Sequence, residues 1–134
     1  MDILYKDIKT LDPADLRELF LSVEWSSGQY PEKLAVAMQN SETVFTAWDG
    51  GRLIGLVNAL DDGAMTAYVH YLLVRPEYQG KGVGRALLRH VTEKYGEYLR
   101  IVLVSCDGEV DFYKRCGFAP GEGKTPMFIT SLRT

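Results

Sequence analysis

The six residues Gln79-Gly80-Lys81-Gly82-Val83-Gly84 set three glycines and a lysine between an apolar run and a helical repeat. Glycines let the main chain approach a ligand, and the first N–H groups of a helix have no internal partners. Such a loop binds anions, phosphates above all. From Arg75 to Lys94 five basic side chains (Arg75, Lys81, Arg85, Arg89 and Lys94) stand against two acidic ones, so the local field also favours an anion. A glycine-rich turn needed only for chain reversal is the plainer reading of the same residues. Two nucleotide readings fail. A Walker A loop needs Gly-Lys-Ser/Thr, and here Gly82 follows Lys81. A dinucleotide fold needs its glycines directly after the first strand of a βαβ unit, whereas Pro76 parts this motif from three hairpin-linked strands.

Other side chains could move protons or receive a ligand. Tyr68 and His70 fall in one run, where Tyr68, His70 and Leu72 alternate onto one face of a strand. A histidine of pKa ~6.5 is mostly neutral at pH 7.4 and ready to accept a proton. A structural histidine bonded to a backbone carbonyl is the equal alternative. Tyr113, with a phenol pKa of ~10, keeps its proton at neutral pH and can donate it. It is also a helix aromatic able to pack on a core. Cys106 and Cys116 make no CxxC pattern and suggest neither a zinc site nor a disulfide framework. Cys116, with no histidine near it in sequence, reads as a small buried residue and His90 as a solvated or partly packed one.

The elements that must position these residues are legible in part. Asp12-Pro13-Ala14-Asp15 has a capping residue, a proline for the first helical position and an acid for the positive end of the dipole. Leu16, Leu19, Phe20 and Val23 make the apolar face of that helix. A second helix is expected over 32–39. Strands follow at 43–48, 53–60 and 64–74, joined by Asp49-Gly50-Gly51 and Asp61-Asp62-Gly63. From Gly82 the period turns helical through Val83, Leu87, Leu88, Val91 and Tyr95. A β-type run covers 99–104, a short helix 107–116 closed by Gly117, and a last strand 126–132. The order βααβββαβαβ argues an α/β fold with a mixed sheet and helices on its faces.

Length and charge bound the rest. The 134 residues, 46% apolar and 25% charged, make one globular domain over 1–134. No apolar run approaches ~18 residues, so no membrane partner is expected. The opening MDILYKDIKT lacks the pattern of a secretory signal, which leaves the cytoplasm as the expected location. A net charge of −3 disfavours a nucleic-acid partner.

Two stretches now carry a resemblance. Leu72-Leu73-Val74-Arg75-Pro76-Glu77-Tyr78-Gln79-Gly80-Lys81-Gly82-Val83-Gly84 resembles the acyl-CoA signature of the GCN5-related N-acetyltransferase (GNAT) superfamily. Asp111-Phe112-Tyr113-Lys114-Arg115-Cys116-Gly117-Phe118 resembles that family's helix ending in a tyrosine before Gly-Phe. The resemblance implies a mixed, mostly antiparallel sheet of six to seven strands with about four helices. It implies a V-shaped split between the strands ending at Val74 and starting near Leu99. Acetyl-CoA would lie there with its pantetheine on backbone groups of Leu72 and Val74. Its pyrophosphate would sit on N–H groups of Gln79, Gly80, Lys81, Gly82, Val83 and Gly84, with Lys81 and Arg85 at the rim. Tyr113 would protonate the departing thiolate, and no metal is involved. Several members carry a glutamate base where Tyr68 stands here. Tyr68 to Val74 is similar to the His-x-His-x-Leu-x-Val strand of arylalkylamine N-acetyltransferases, which implies His70 as base with Tyr68 beside it. Trp25, Tyr30 and Phe128 would line the acceptor pocket. The expected function is acetyl transfer to the primary amine of a small molecule by direct attack. A protein lysine or N-terminus is the rival acceptor, and a CoA-binding module without turnover is the rival class. A homodimer is compatible with this reading.

Overall fold

The computed structural model describes residues 2–134. Strands β1 (Ile3–Asp7), β2 (Thr43–Asp49), β3 (Arg52–Asp61), β4 (Thr66–Val74) and β5 (Arg100–Leu103) form one sheet in that spatial order. The first four pair antiparallel, and β5 lies parallel to β4. Four α-helices, α1 (Pro13–Ser22), α2 (Pro31–Asn40), α3 (Val83–Lys94) and α4 (Val110–Arg115), complete the mixed fold. The sheet therefore has five strands among the described residues, not six to seven. Residues 126–132 form no strand, although their composition favours one, because no sheet edge of the chain is paired with them.

Local chemistry accounts for the elements. The Asp12 carboxylate accepts from the Ala14 N–H at 2.9 Å, Pro13 follows it, and Leu16, Leu19 and Phe20 are buried beneath α1. The Asp62 carboxylate accepts from the N–H groups of Ala64, Met65 and Thr66 at 2.7–3.1 Å. Those donors hold its pKa below the usual carboxylate range and tie 62–65 into a turn, so β4 starts at Thr66 and not at Ala64.

The sheet parts two apolar layers. On one face Val83, Leu87 and Val91 of α3 pack on Ala47, Ile54, Val57, Ala59, Ala67, Val69 and Val74. On the other, Leu16, Leu19 and Phe20 of α1 and Leu34 and Met38 of α2 pack on Val44, Trp48, Leu53, Leu56 and Leu73. The approach of α3 is close. A Cβ on Gly55 would stand 3.2 Å from Leu87 Cδ1 and 3.3 Å from the Leu73 carbonyl oxygen. Overpacking of this kind costs about 1–3 kcal/mol. Gly55→Val should therefore lower the urea midpoint by that amount of stability, and an unchanged midpoint would show slack between α3 and β3.

Candidate active site

β4 and β5 pair only from Thr66 opposite Arg100 to Val69 opposite Leu103. β5 then ends, while β4 runs on through His70, Tyr71, Leu72, Leu73 and Val74 with that edge unpaired among the described residues. An irregularity lies on the other edge at the same level. Tyr71 stands opposite Asn58 and Val69 opposite Ala59, so His70 is an extra residue in β4. Such a bulge bends its strand and deepens the twist. The bulge falls at the level where the β4–β5 pairing stops, which is where the V-shaped split is expected. Asn58 makes the irregularity tolerable. Its side-chain oxygen accepts from the Tyr71 N–H at 2.9 Å, and its amide donates to Ser41 Oγ at 3.1 Å.

The bulge also reverses the alternation of side chains. Ala67 and Val69 pack on the α3 side, but beyond His70 it is Leu72 and Val74 that do so, while Tyr71 and Leu73 join the α1 side. Leu72 thus does not share a face with Tyr68 and His70, as plain alternation expects. Tyr71 takes that place. Its ring stacks on His70 with centroids 4.0 Å apart, and Tyr68 lies 5.5 Å from His70. Among the described residues neither ring nitrogen of His70 meets a hydrogen-bond partner, so the carbonyl bond of a structural histidine is missing. His70 is exposed at the surface of β4, and desolvation of its imidazolium among the packed rings holds its pKa below the ordinary histidine value, while burial with the nearby Tyr71 raises that of Tyr68.

At the end of β4 the chain makes the glycine-rich loop. Gly80 and Gly82 have φ of +75° and +86°, and a Cβ on either would meet nothing within 4 Å. Among the described residues the N–H groups of Gly80, Lys81 and Gly82 donate to no protein acceptor, and those of Val83, Gly84 and Arg85 open α3. Lys81 and Arg85 are exposed and form no ion pair among the described residues. Gln79 is occupied through both its main chain and its side chain. The Gln79 N–H bonds the Pro76 carbonyl at 3.2 Å, and the Gln79 side chain donates to the Val74 carbonyl at 2.8 Å. Gln79 thus braces the loop rather than opening it, and the free donors begin at Gly80. Arg75 is likewise committed elsewhere: it is buried, with Nε on the Leu53 carbonyl at 2.8 Å and Nη2 3.5 Å from Glu18.

Tyr113 comes to this opening through its neighbour. A Cβ on Gly84 would touch Phe112 at 3.6 Å and Val74 at 3.7 Å, so α4, the first turn of α3 and the end of β4 meet there. Tyr113 is half-buried, with its ring edge-on to Phe112 and Phe118. Burial first, then the charge of Glu109 and the thiols of Cys106 and Cys116, push its pKa up to about 12. Phe112, Cys116 and Phe118 are half-buried and join neither apolar layer, in contrast to the buried place expected of Cys116 from sequence.

The chain matches the Acetyltransferase (GNAT) family over residues 9–118. The chain belongs to the GNAT acetyltransferase family. A histone acetyltransferase of Glycine max is 32% identical over 94% of this chain and 60% of its own length. A chloroplastic serotonin N-acetyltransferase of Oryza sativa subsp. japonica is 34% identical over 81% of this chain and 57% of its own length. This GNAT chain thus spans about three fifths of the curated relatives it matches. A GNAT-family protein of Streptococcus pneumoniae TIGR4 superposes with a TM-score of 0.83 at 25% identity, covering 97% of this chain and 99% of that one.

The other proposed contacts of this GNAT domain divide. Trp25 and Tyr30 line a cavity of about 550 Å³ with Glu24, Gln29 and the 131–134 segment. Tyr30 also lines a second cavity of about 300 Å³ with Ser27, Lys33 and Tyr71. Phe128 lines neither and is exposed. Sequence reading missed Tyr71 and Ser27. Tyr71 Oη and Ser27 Oγ are 2.9 Å apart, and Trp25 lies 5.9 Å from the Tyr71 ring. This ties the His70 side of β4 to the 3₁₀ turn Ser26–Gln29 beside both cavities. Ser27 and Tyr71 lie 44 residues apart, so no local pattern could have joined them.

Proposed function

We propose that this chain moves an acetyl group from acetyl-CoA to the primary amine of a small molecule by direct attack in a ternary complex. One observation carries the reading: the open glycine loop, the unpaired edge of β4 and the helix bearing Tyr113 meet at Gly84. The residues present fit the cosubstrate, since the loop offers open N–H donors with free space where side chains would be. Acetyl-CoA supplies an acetyl group activated as a thioester. The N–H groups of Gly80, Lys81, Gly82, Val83 and Gly84 bind the pyrophosphate at the positive end of α3, and Lys81 and Arg85 add charge at the rim. Leu72 and Val74 offer main-chain groups along the open edge to the pantetheine amides, as a sheet edge takes up a strand. Tyr113 Oη holds its proton and presents it to the leaving sulfur.

The acceptor needs a second proton transfer. An alkylammonium of pKa ~10.4 is only about 0.1% neutral near pH 7.4, a handicap of roughly 4 kcal/mol. In our reading His70, through one water, takes that proton, and Tyr68, whose raised pKa keeps it neutral, lines the path. Because the His70 pKa is lowered, the active neutral form persists below pH ~6.5. The parent kcat/KM should therefore rise with pH through a limb lying below that value. In His70→Gln the limb should vanish. The rate at neutral pH should fall about 10²-fold, with recovery as pH approaches the amine's own pKa. An unchanged profile would assign the proton to desolvation or another group.

The cavity beside Trp25 and Tyr30, where Glu24 and Arg133 balance in charge, supports a small acceptor, since its aromatic faces attract an ammonium. The names of the relatives point to both acceptor classes. Thiol release from acetyl-CoA, measured over a panel of small amines and lysine peptides, decides the matter. Turnover with small amines is expected. Turnover with peptides alone would make the acceptor a protein, and CoA binding with no release would make the chain a module without catalysis.

A further inference from the structure

The two cavities differ in charge. In the first, Glu24 and Arg133 balance. The second, about 300 Å³ between α2, β4 and the 3₁₀ turn, is lined by Lys33 and by no acidic side chain. Its other polar groups are the hydroxyls of Ser27, Tyr30, Tyr71 and Ser131. Lys33 stands in the first turn of α2, is exposed, and forms no ion pair among the described residues.

A count of protons adds a second donor. Ser27 Oγ and Tyr71 Oη are 2.9 Å apart, and neither makes another hydrogen bond among the described residues. Two hydroxyls bring two protons, and one suffices for the bond between them. Whichever oxygen donates, one O–H is left with no protein acceptor. The pair is held in place. Ser27 is 5% exposed, the Tyr71 N–H donates to Asn58 Oδ1 at 2.9 Å, and the Tyr71 ring lies edge-to-face with Phe20, their centroids 4.9 Å apart. An oxygen that takes the spare O–H and faces the Lys33 ammonium makes a charge-assisted contact. The same tyrosine leads to the reacting end, since its ring stacks on His70 at 4.0 Å. An acceptor can thus present its amine on the His70 side and lay its far end along Tyr71 toward Lys33. Ser131 and Leu132 close the cavity from a stretch, Gly96 to Thr134, in which no residue is buried, so this wall yields to the length of a ligand.

We propose that the second cavity receives an anionic oxygen group of the acceptor, a carboxylate or a phosphate, so that the acceptors are primary amines bearing such a group at their far end. The inference rests on the acetyl-transfer reading for the amine and goes beyond it in assigning the acceptor's charge. Lys33 supplies the opposite charge, and the Ser27–Tyr71 pair supplies its spare O–H. A plain alkylamine leaves both unmatched.

Paired substrates test it. Thiol release from acetyl-CoA is compared for γ-aminobutyrate and propylamine, for ε-aminocaproate and pentylamine, and for phosphoethanolamine and ethanolamine. At least one acid should exceed its uncharged partner about tenfold in kcat/KM, chiefly through KM. The pair with the largest ratio tells carboxylate from phosphate. Lys33→Met should bring that ratio to about one, and Lys33→Glu should invert it. The ratio is read within each variant, so a general loss of activity does not imitate the result. Equal rates in every pair, or a preference for the acid that survives Lys33→Glu, overturn the proposal and leave acetyl transfer standing. If no amine releases thiol, the acetyl-transfer reading falls, and the cavity is still tested by binding. The amide resonances of Ser27 and Tyr71 should shift with millimolar γ-aminobutyrate or phosphoethanolamine in the parent and not in Lys33→Glu. Resonances that stay put in the parent with both ligands overturn the site.

Discussion

Gly82→Asp should weaken CoA binding by about 10²-fold or more, measured by calorimetry on the purified protein. Two effects act together. Like charges brought together at a binding site cost several kcal/mol, and 1.4 kcal/mol is a factor of ten. The new carboxylate would also lie beside the free N–H groups at the start of α3 and compete for them, so the protein would carry its own anion in the phosphate site. Loss of fold is not the expected cause. Gly82 is exposed, nothing stands within 4 Å of where its Cβ would be, and its φ of +86° costs a side chain about 1–3 kcal/mol of strain. Gly82→Ala carries the strain without the charge and should retain most of the affinity. CoA bound equally well by the Asp variant would remove the loop from the binding site.

Tyr113→Phe should lower kcat by about 10²–10⁴-fold and leave KM for acetyl-CoA nearly unchanged. A hydrogen bond made chiefly as negative charge gathers on sulfur stabilises the transition state more than the ground state. The raised pKa fixes the pH signature. With the phenol pushed up to about 12, its proton stays in place through neutral and moderately alkaline pH, so Tyr113 contributes no falling limb to the parent profile below about pH 11. A loss of only a few fold would make Tyr113 a packing residue against Phe112 and Phe118.

The sequence and the structure agree most where the governing interaction is local. The Asp12 cap and the passage from Pro76 through the glycines into α3 each depend on residues a few positions apart, and each stands as the residues imply, while the Asp62 turn forms but runs two residues further than expected. The split in the sheet was expected only through family resemblance. The bulge at its level, the extra residue at His70, left no mark in the alternation of Tyr68 to Val74. Period-two reading assumes an unbroken pleat, so it set Leu72 beside His70 and passed over Tyr71. Gln79 and Arg75 show the same limit in another form. Charge marked Arg75 and the family resemblance marked the Gln79 N–H as anion-seeking donors, but their acceptors at Leu53 and Pro76, and that of the Gln79 side chain at Val74, exist only once the chain has turned. The 126–132 segment marks the last gap. Composition says that a segment favours a strand, and it does not say whether a sheet edge stands ready to receive it.

The absence of buried residues after Tyr95 gives the cleft two walls of unequal stiffness. The wall made by β4 and the start of α3 belongs to the packed layers that include Leu73, Val74, Val83 and Leu87. The facing wall, β5 and α4, hangs on a four-residue strand and on half-buried contacts. Local opening is easiest where few apolar groups are buried. Under the proposed function the phosphate end of the ligand would be gripped by rigid backbone, while Tyr113 would ride on the part that opens more readily. Widening the slot to admit a long, thin cosubstrate would loosen only the half-buried Ile101 and Leu103 at the margin of the core, and under the proposed function whatever firms up the outer wall would also set the time Tyr113 spends in line with the sulfur.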